Sequence, residues 1–334
     1  MATIYEVSKL AGVSLATVSR VINNNTRVSD KTRLKVETAM NELGYRPNSI
    51  AQSLASNRTN SVGIMVSELN GAFFGQMMAG IEAELRAAGK HVIITTGHSE
   101  EDKESAGIDF LISRNCDALI VHVEAIPDDE LKVLAQGDTP IYFTSRLIEG
   151  LEDSCIYLNN ELGGYLATKT IIEQGHINIA YITGPQFKPD SQDRLTGHKR
   201  ALAEYNLPFD ENLYFIGDYK ETGGRDGIKQ LLSNQKSFTA LVCGNDEMAS
   251  GAMTYAREHG FTLPNDLSII GFDNITFSRH IYPKLTTIDN PVYEMGHMAA
   301  KLVLKNVYQQ KDIAIKHSFE PTLISRDSIA QLKP

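Results

Sequence analysis

The sequence predicts a small all-α head, a short linker and a larger α/β body whose parallel sheets are shared between two lobes. Three observations carry this. Residues 1–45 hold three short amphipathic stretches bounded by helix-start and helix-stop residues. Residues 46–60 are polar and lack a run long enough for a stable isolated helix. From Ser61 onward, strand-length apolar runs alternate with helix-length amphipathic stretches, in two successive series. A length of 334 residues accommodates two or three domains.

Thr3 followed by Glu6 forms a capping box, so the first helix should start at Ile4. Val7, Leu10 and Ala11 then make its inner stripe, at i, i+3 and i+4. Gly12 supplies the turn. Ser14 caps a second helix whose inner residues are Val18, Val21 and Ile22. Ser29 caps a third, with Val36, Ala39, Met40 and Leu43 inside and Gly44 at its end. The outward positions of the second helix are Leu15, Ala16, Thr17, Ser19 and Arg20. This is the sequence form of a helix-turn-helix. An arginine there reaches guanine O6 and N7 together, and small apolar residues such as Leu15 and Ala16 meet a thymine methyl. A generic three-helix bundle with a solvated Arg20 is the plainer reading.

Charge supports the first reading. The chain has a net charge of −9, which alone argues against nucleic acid, but residues 1–60 carry +4 and the remainder −13. A basic head on an acidic body suits a local DNA contact.

In the body, the expected strands are Val62–Val66, Val92–Thr96, Ala118–Val123 and Ile141–Thr144, then Ile179–Ile182, Leu213–Ile216, Ala240–Cys243 and Leu267–Phe272. Two series suggest two lobes. Ligands of such sheets bind outside the carboxyl ends of the strands. The residues past those ends are Asn70 to Phe74, His122, Ser145 and Arg146 in the first series. In the second they are Asp190, Arg194, Tyr219, Asn245, Asp246 and Asp273. Aromatic faces with amide, carboxylate and guanidinium groups suit a sugar, whose ring stacks and whose vicinal hydroxyls are gripped bidentately. Asp246 equally fits a helix cap and Phe74 a core ring.

Several classes find no support. No apolar run approaches about 18 residues, so no membrane span is expected. The N-terminus lacks the basic and apolar blocks of a secretory signal, so the expected compartment is the cytoplasm. Cys116, Cys155 and Cys243 are scattered and give neither a disulfide framework nor a zinc spacing. No metal motif, phosphate loop or catalytic constellation is present, so neither an enzyme nor a cofactor is expected. Gly223-Gly224-Arg225-Asp226-Gly227 reads as a turn near a helix start, and Asp128-Asp129 as a solvated helix start.

The run Ala11-Gly12-Val13-Ser14, then Ala16 to Asn23, resembles the N-terminus of the lactose/galactose repressor family. Tyr45-Arg46-Pro47-Asn48 with Ala51-Gln52-Ser53-Leu54-Ala55 resembles that family's hinge. The similarity continues to near the end of the chain. It implies a helix-turn-helix domain at 1–45, a hinge helix at 46–60, and a periplasmic-binding-protein-like body at 61–334. Within the body it implies an N-lobe of about 61–159 plus 290–318 and a C-lobe of about 160–289 plus 319–334. It also implies DNA contacts from Thr3, Ser14, Leu15, Ala16, Thr17, Ser19, Arg20, Asn23 and Arg27. On operator DNA the hinge helix would pair with its twin through the small Ala51 and Ala55. Leu54 would wedge into the minor groove, a known architectural device.

In the body the resemblance runs through Asp193 to Gly197, Cys243 to Ala249 and Ile269 to Asn274. It implies effector contacts from Arg194, Asn245, Asp246 and Asp273, with Phe73, Phe74 and Tyr219 as pocket aromatics. Val121-His122-Val123, Ser145-Arg146-Leu147-Ile148 and Leu166 to Lys169 resemble the galactose-repressor branch. That branch usually has Asp-Pro-Phe-Phe where this chain has Gly71-Ala72-Phe73-Phe74, and asparagine in place of Ser145. The expected partners are double-stranded operator DNA, a sugar effector and a second copy of the chain. The short segment from Arg326 to Pro334 leaves no room for a tetramerising coiled coil. A corepressed regulator that binds a purine, and a sugar-binding transport or sensory module, are the alternatives.

Overall fold

The structure, a computed structural model, describes residues 2–22, 27–46 and 58–332. The chain divides into two compact units, Met1–Asn60 and Ser61–Pro334.

In the first unit α1 (Ile4–Ala11), α2 (Leu15–Ile22) and α3 (Asp30–Leu43) enclose Val7, Val18, Val21, Val36 and Ala39. The starts and stops are the expected ones. Thr3 Oγ1 accepts from the Glu6 amide at 3.4 Å, while the Thr3 amide donates to Glu6 Oε2 at 2.7 Å. Ser14 Oγ accepts from the Thr17 amide, and Ser29 Oγ from that of Thr32. Gly12 and Gly44 end their helices at φ +65° and +60°. One expectation fails: Leu10 is 47% exposed. At about 100° per residue, Ile4, Val7 and Ala11 share an arc of about 60°, and Leu10 lies a further 60° outside it.

The second unit holds two six-stranded sheets. The first is built from β1 (Ser61–Val66), β2 (His91–Thr96), β3 (Ala118–Val121), β4 (Ile141–Thr144), β5 (Cys155–Leu158) and β11 (Ser318–Phe319). Its order is β11-β5-β4-β3-β1-β2, parallel throughout. The second is built from β6 (Ile179–Thr183), β7 (Tyr214–Ile216), β8 (Ala240–Cys243), β9 (Ser268–Asp273), β10 (Thr286–Asp289) and β12 (Thr322–Ile324). Its order is β12-β10-β9-β8-β6-β7, with only β12 antiparallel.

Helices α4 (Ala72–Ala87), α5 (Glu101–Ser113), α6 (Asp128–Leu134) and α11 (Val292–Asn306) go with the first sheet. Helices α7 (Asn160–Glu173), α8 (Pro189–Glu204), α9 (Glu221–Ser233) and α10 (Asp246–Glu258) go with the second. The chain passes between sheets at three places: β5 to α7, β10 to α11, and β11 to β12. One apolar cluster runs through both lobes, from Val62 and Ile64 to Phe272 and Ile288, and two more lie behind it. Layers of helix on both faces of a parallel sheet require near-continuous apolar strands, and β3, β4, β6, β8 and β9 are buried at every residue.

The glycine-rich run is not a turn. Gly223, Gly224 and Gly227 lie inside α9 and are buried. A Cβ on Gly224 would sit 1.9 Å from the Met248 carbonyl oxygen, so glycine here lets α9 and α10 touch backbone to backbone. The three cysteines are buried and unbonded. Among the described residues no helix is long and apolar enough to cross a membrane.

Candidate functional site

The carboxyl ends of both sheets open onto one cavity of about 220 Å³ between the lobes. Its centre is Arg194, on α8, which is 4% exposed. Nε donates to Asn160 Oδ1 at 2.9 Å and Nη1 to the Gly244 carbonyl at 2.7 Å. Nη2 lies 3.5 Å from Asp190 Oδ2 and 3.6 Å from Asp273 Oδ1. The guanidinium also covers the Phe272 ring at 3.7 Å. Burial opposes its charge, but Tyr219, Asp273 and Asp190 outweigh burial and hold it protonated.

Around this cation the partners are ordered. Tyr219 donates its hydroxyl to Asp190 Oδ2 at 2.9 Å. Its ring fills the space over Gly184, where a Cβ would come within 2.2 Å of it. Asn290 donates from Nδ2 to Asp273 Oδ1 at 3.1 Å. Burial pushes the Asp273 carboxyl above its usual range; Arg194 and Asn290 restrain that rise and Asp190 adds to it. Asn245 caps α10 through Oδ1 and donates from Nδ2 to the Tyr219 carbonyl at 2.8 Å.

On the first lobe Phe73 and Phe74 meet edge to face at 5.1 Å, and Phe74 packs likewise against His122 at 5.1 Å. Ser145 sits at φ +64°. Arg146 borders the cavity, but its guanidinium is taken by the Ile126 carbonyl at 3.0 Å and Asp128 Oδ1 at 2.6 Å. Among the described residues three buried side-chain polar atoms have no hydrogen-bond partner: His122 Nδ1, Ser145 Oγ and Asn290 Oδ1. All three residues line this cavity. Buried polar atoms are normally paired, so three orphans in one place mark a surface shaped for a polar ligand.

Asp246 departs from its expected role. It is absent from the cavity wall, and both carboxylate oxygens are committed elsewhere. Oδ1 accepts from the Thr287 hydroxyl at 2.5 Å and Oδ2 from the Ile275 amide at 2.9 Å. It therefore ties α10 to the end of β9 and to β10. Its carboxyl pKa is raised well above the ordinary range by burial. The other ten expected effector residues line the cavity.

Sequence reading missed Asn160, Asn290, Glu124 and Lys188, which also line it. Glu124 stands two residues past His122, so the strand-end rule could have found it. Asn160 and Asn290 follow β5 and β10, two strands the apolar pattern did not reveal.

In the head, Ala16 and Arg20 are exposed on α2, while Leu15, Thr17 and Ser19 are half-buried. Thr3 and Ser14 act as caps, the Ser14 and Thr17 hydroxyls lie 2.9 Å apart, and Arg27 is exposed. Asn23, Ala51, Leu54 and Ala55 lie outside the described residues.

A helix-turn-helix unit with a two-lobed body that encloses a polar cavity defines a ligand-responsive DNA-binding regulator. Residues 3–48 match the family of bacterial regulatory proteins, lacI family, and residues 168–329 match a periplasmic binding protein-like domain. The chain is 39% identical over 330 residues to the HTH-type transcriptional regulator GalR of Salmonella typhimurium, covering 99% of this chain and 96% of that one. The chain belongs to the lacI family. Its fold is similar to that of the lac repressor dimer bound to operator and the anti-inducer ONPF, with a TM-score of 0.87, 28% identity, and coverage of 98% and 99%. It is also similar to the transcriptional regulator CelR in its cellobiose complex, with a TM-score of 0.72, 29% identity, and coverage of 98% and 100%.

Proposed function

We propose that this chain is a sugar-responsive transcriptional repressor. It binds a pseudo-palindromic operator as a homodimer, and an uncharged carbohydrate, galactose or a close relative, releases it. The observation that carries the ligand class is that His122, Ser145 and Asn290, each with a buried polar atom that lacks a partner, line a cavity together with Arg194, Asp190 and Asp273. Hydroxyl groups satisfy all three, because a hydroxyl both donates and accepts. The cavity is lined by six carboxylates, Glu68, Glu124, Asp190, Asp218, Glu247 and Asp273, against four cations, Arg146, Lys188, Arg194 and Lys220. Each cation is already paired with a carboxylate. A sugar phosphate would add negative charge to a site already rich in it, so the free sugar is favoured. The relatives support this reading: one is a regulator named GalR, one was solved with operator and one with cellobiose.

The switch needs two arrangements of the lobes with different operator affinity, and an effector that prefers one of them. The test selects a palindromic duplex from a random pool with the full-length dimer. Fluorescence anisotropy then follows its release by D-galactose, D-glucose, galactose 6-phosphate and hypoxanthine. Release by a free hexose at lower concentration than by its phosphate is expected. Release only by hypoxanthine, or tighter binding with the sugar, would overturn the proposal.

A further inference from the structure

The lobes are also joined by charge. Lys188, the residue before α8 in the second lobe, donates from Nζ to Glu124 Oε2 at 2.9 Å and to Ser99 Oγ at 3.1 Å, both in the first lobe. The two charged side chains keep 12% and 10% of their exposure. Glu124 is prepared for this contact by its own lobe. The hydroxyl of Ser67 donates to Oε2 at 2.7 Å, the Ser99 hydroxyl donates there too, and His122 Nε2 lies 3.3 Å from Oε1. These residues follow β1, β2 and β3, so three strand ends converge on one carboxylate. The loop that carries it is pinned as well. Glu104, fully buried on α5, accepts the amides of Glu124, Ala125 and Ile126 at 2.9, 3.0 and 3.0 Å. With these donors Glu124 has little acceptor capacity left for a ligand. A second pair, Lys220 with Glu68 at 2.7 Å, also crosses between the lobes, but its lysine is 57% exposed and water screens it.

We propose that Lys188 and Glu124 form an interlobe latch: a prebuilt carboxylate in one lobe captures the ammonium of the other and holds the body closed around its cavity. Separation of the lobes takes the ammonium away from a carboxylate that its own lobe still holds half-buried, which is the costly way to break a buried pair. Lys188 and Glu124 are thus positioning residues. They set how firmly the lobes close on an effector and do not select its hydroxyls. The effector part of this inference rests on the sugar-responsive reading above; the closure part does not.

The experiment uses the full-length dimer with spin labels at Asp102→Cys on α5 and Lys229→Cys on α9, both exposed, in dimers diluted with unlabelled chain. The native cysteines are buried and stay unlabelled. Pulsed dipolar spectroscopy reads the interlobe distance. The parent should give one narrow distance. Lys188→Met and Glu124→Gln should each add a longer one, the double variant should open no further than either single variant, and Lys188→Arg should restore the parent distribution. Unchanged distributions in the single variants, or additive effects in the double variant, overturn the latch. With D-galactose as probe, the midpoint of operator release should rise roughly tenfold in each single variant. If the distances shift as stated and no sugar releases DNA, the latch stands and the sugar reading fails. If D-galactose releases DNA and the distances do not shift, the latch alone is lost.

Discussion

Arg194→Met isolates the electrostatics of the cavity from its packing. Methionine keeps apolar contact with the Phe272 ring but removes the two charge-assisted hydrogen bonds to Asn160 and Gly244. It also strands Asp190 and Asp273, which now share the cation at 3.5 and 3.6 Å. Hydrogen bonds to charged groups contribute about 1.5–3 kcal/mol each. Removal of one partner of a buried pair costs about 3–5 kcal/mol. These terms overlap, so the expected loss is about 3–5 kcal/mol, a large share of a stability on the order of 5–15 kcal/mol. At about 2–4 °C per kcal/mol, scanning calorimetry should show Tm fall by roughly 6–20 °C.

The pH dependence of that loss is the sharper reading. Burial already raises the Asp273 carboxyl and Arg194 restrains the rise, so without the arginine it climbs further. A carboxyl raised in the folded state keeps more protons folded than unfolded, so stability falls as pH rises and is regained on acidification. The deficit of Arg194→Met relative to the parent should therefore shrink between pH 7.5 and 5.5. A Tm within 2 °C of the parent, or a deficit that grows on acidification, would refute the assignment of Arg194 as the charge balance of this site.

Three further expectations follow from other positions. His198 is buried against Tyr181 at 4.4 Å and bonded to Thr168 Oγ1 at 2.8 Å. Burial, helped by Lys199, pushes its pKa down to about 3 from 6.5, so below pH 6.5 the unfolded chain takes up a proton that the folded one refuses, and stability falls with pH. By that linkage His198→Gln should lose about 3 kcal/mol less than the parent between pH 7 and pH 4 in urea titrations; equal losses would assign the acid sensitivity elsewhere. Asp246→Ala should destabilise the fold by about 2–4 kcal/mol, read as a lowered Tm, and Thr287→Val should add little to it. A changed sugar preference in Asp246→Ala with unchanged Tm would return that residue to the cavity. Leu54→Ala should weaken operator binding far more than binding to random duplex; equal weakening would remove the wedge role.

What the sequence makes legible is what the physics writes locally. Caps at Thr3, Ser14 and Ser29, and the apolar runs of eight strands, depend only on near neighbours, and each appears within two residues of its expected bounds. Four strands escape that reading. β10 is Thr-Thr-Ile-Asp, and β11 and β12 have only two and three residues, too short for a pattern. β5 has an apolar run, but it is short and is followed at once by a helix. The glycines of α9 read as a turn because their reason, backbone contact with α10, is non-local. Asp246 reads as a ligand because it stands just past the end of β8, in the Asn-Asp segment that the family resemblance marks. Its own partners, Thr287 and Ile275, lie 41 and 29 residues away.

The strands hardest to read place the residues that matter most for a switch. Asn160 and Asn290 each follow a strand at which the chain crosses between lobes, after β5 and after β10. Asn160 accepts from Arg194 through Oδ1 and lies within 3.5 Å of the Leu158 carbonyl through Nδ2. Asn290 donates to Asp273 and keeps Oδ1 without a partner. Beside the first crossing, Asn159 Nδ2 approaches Glu320 Oε2 of the third at 3.4 Å. The ion cluster that would grip a ligand is therefore bonded directly to the segments that join the lobes. A ligand that draws Arg194 or Asp273 toward itself changes the hydrogen bonds of Asn160 and Asn290 in the same step. No long relay is needed: the proposed binding site and the interlobe crossings share side chains, and a difference of a few hydrogen bonds, about 1 kcal/mol each, matches the 1–3 kcal/mol of a typical coupling between sites.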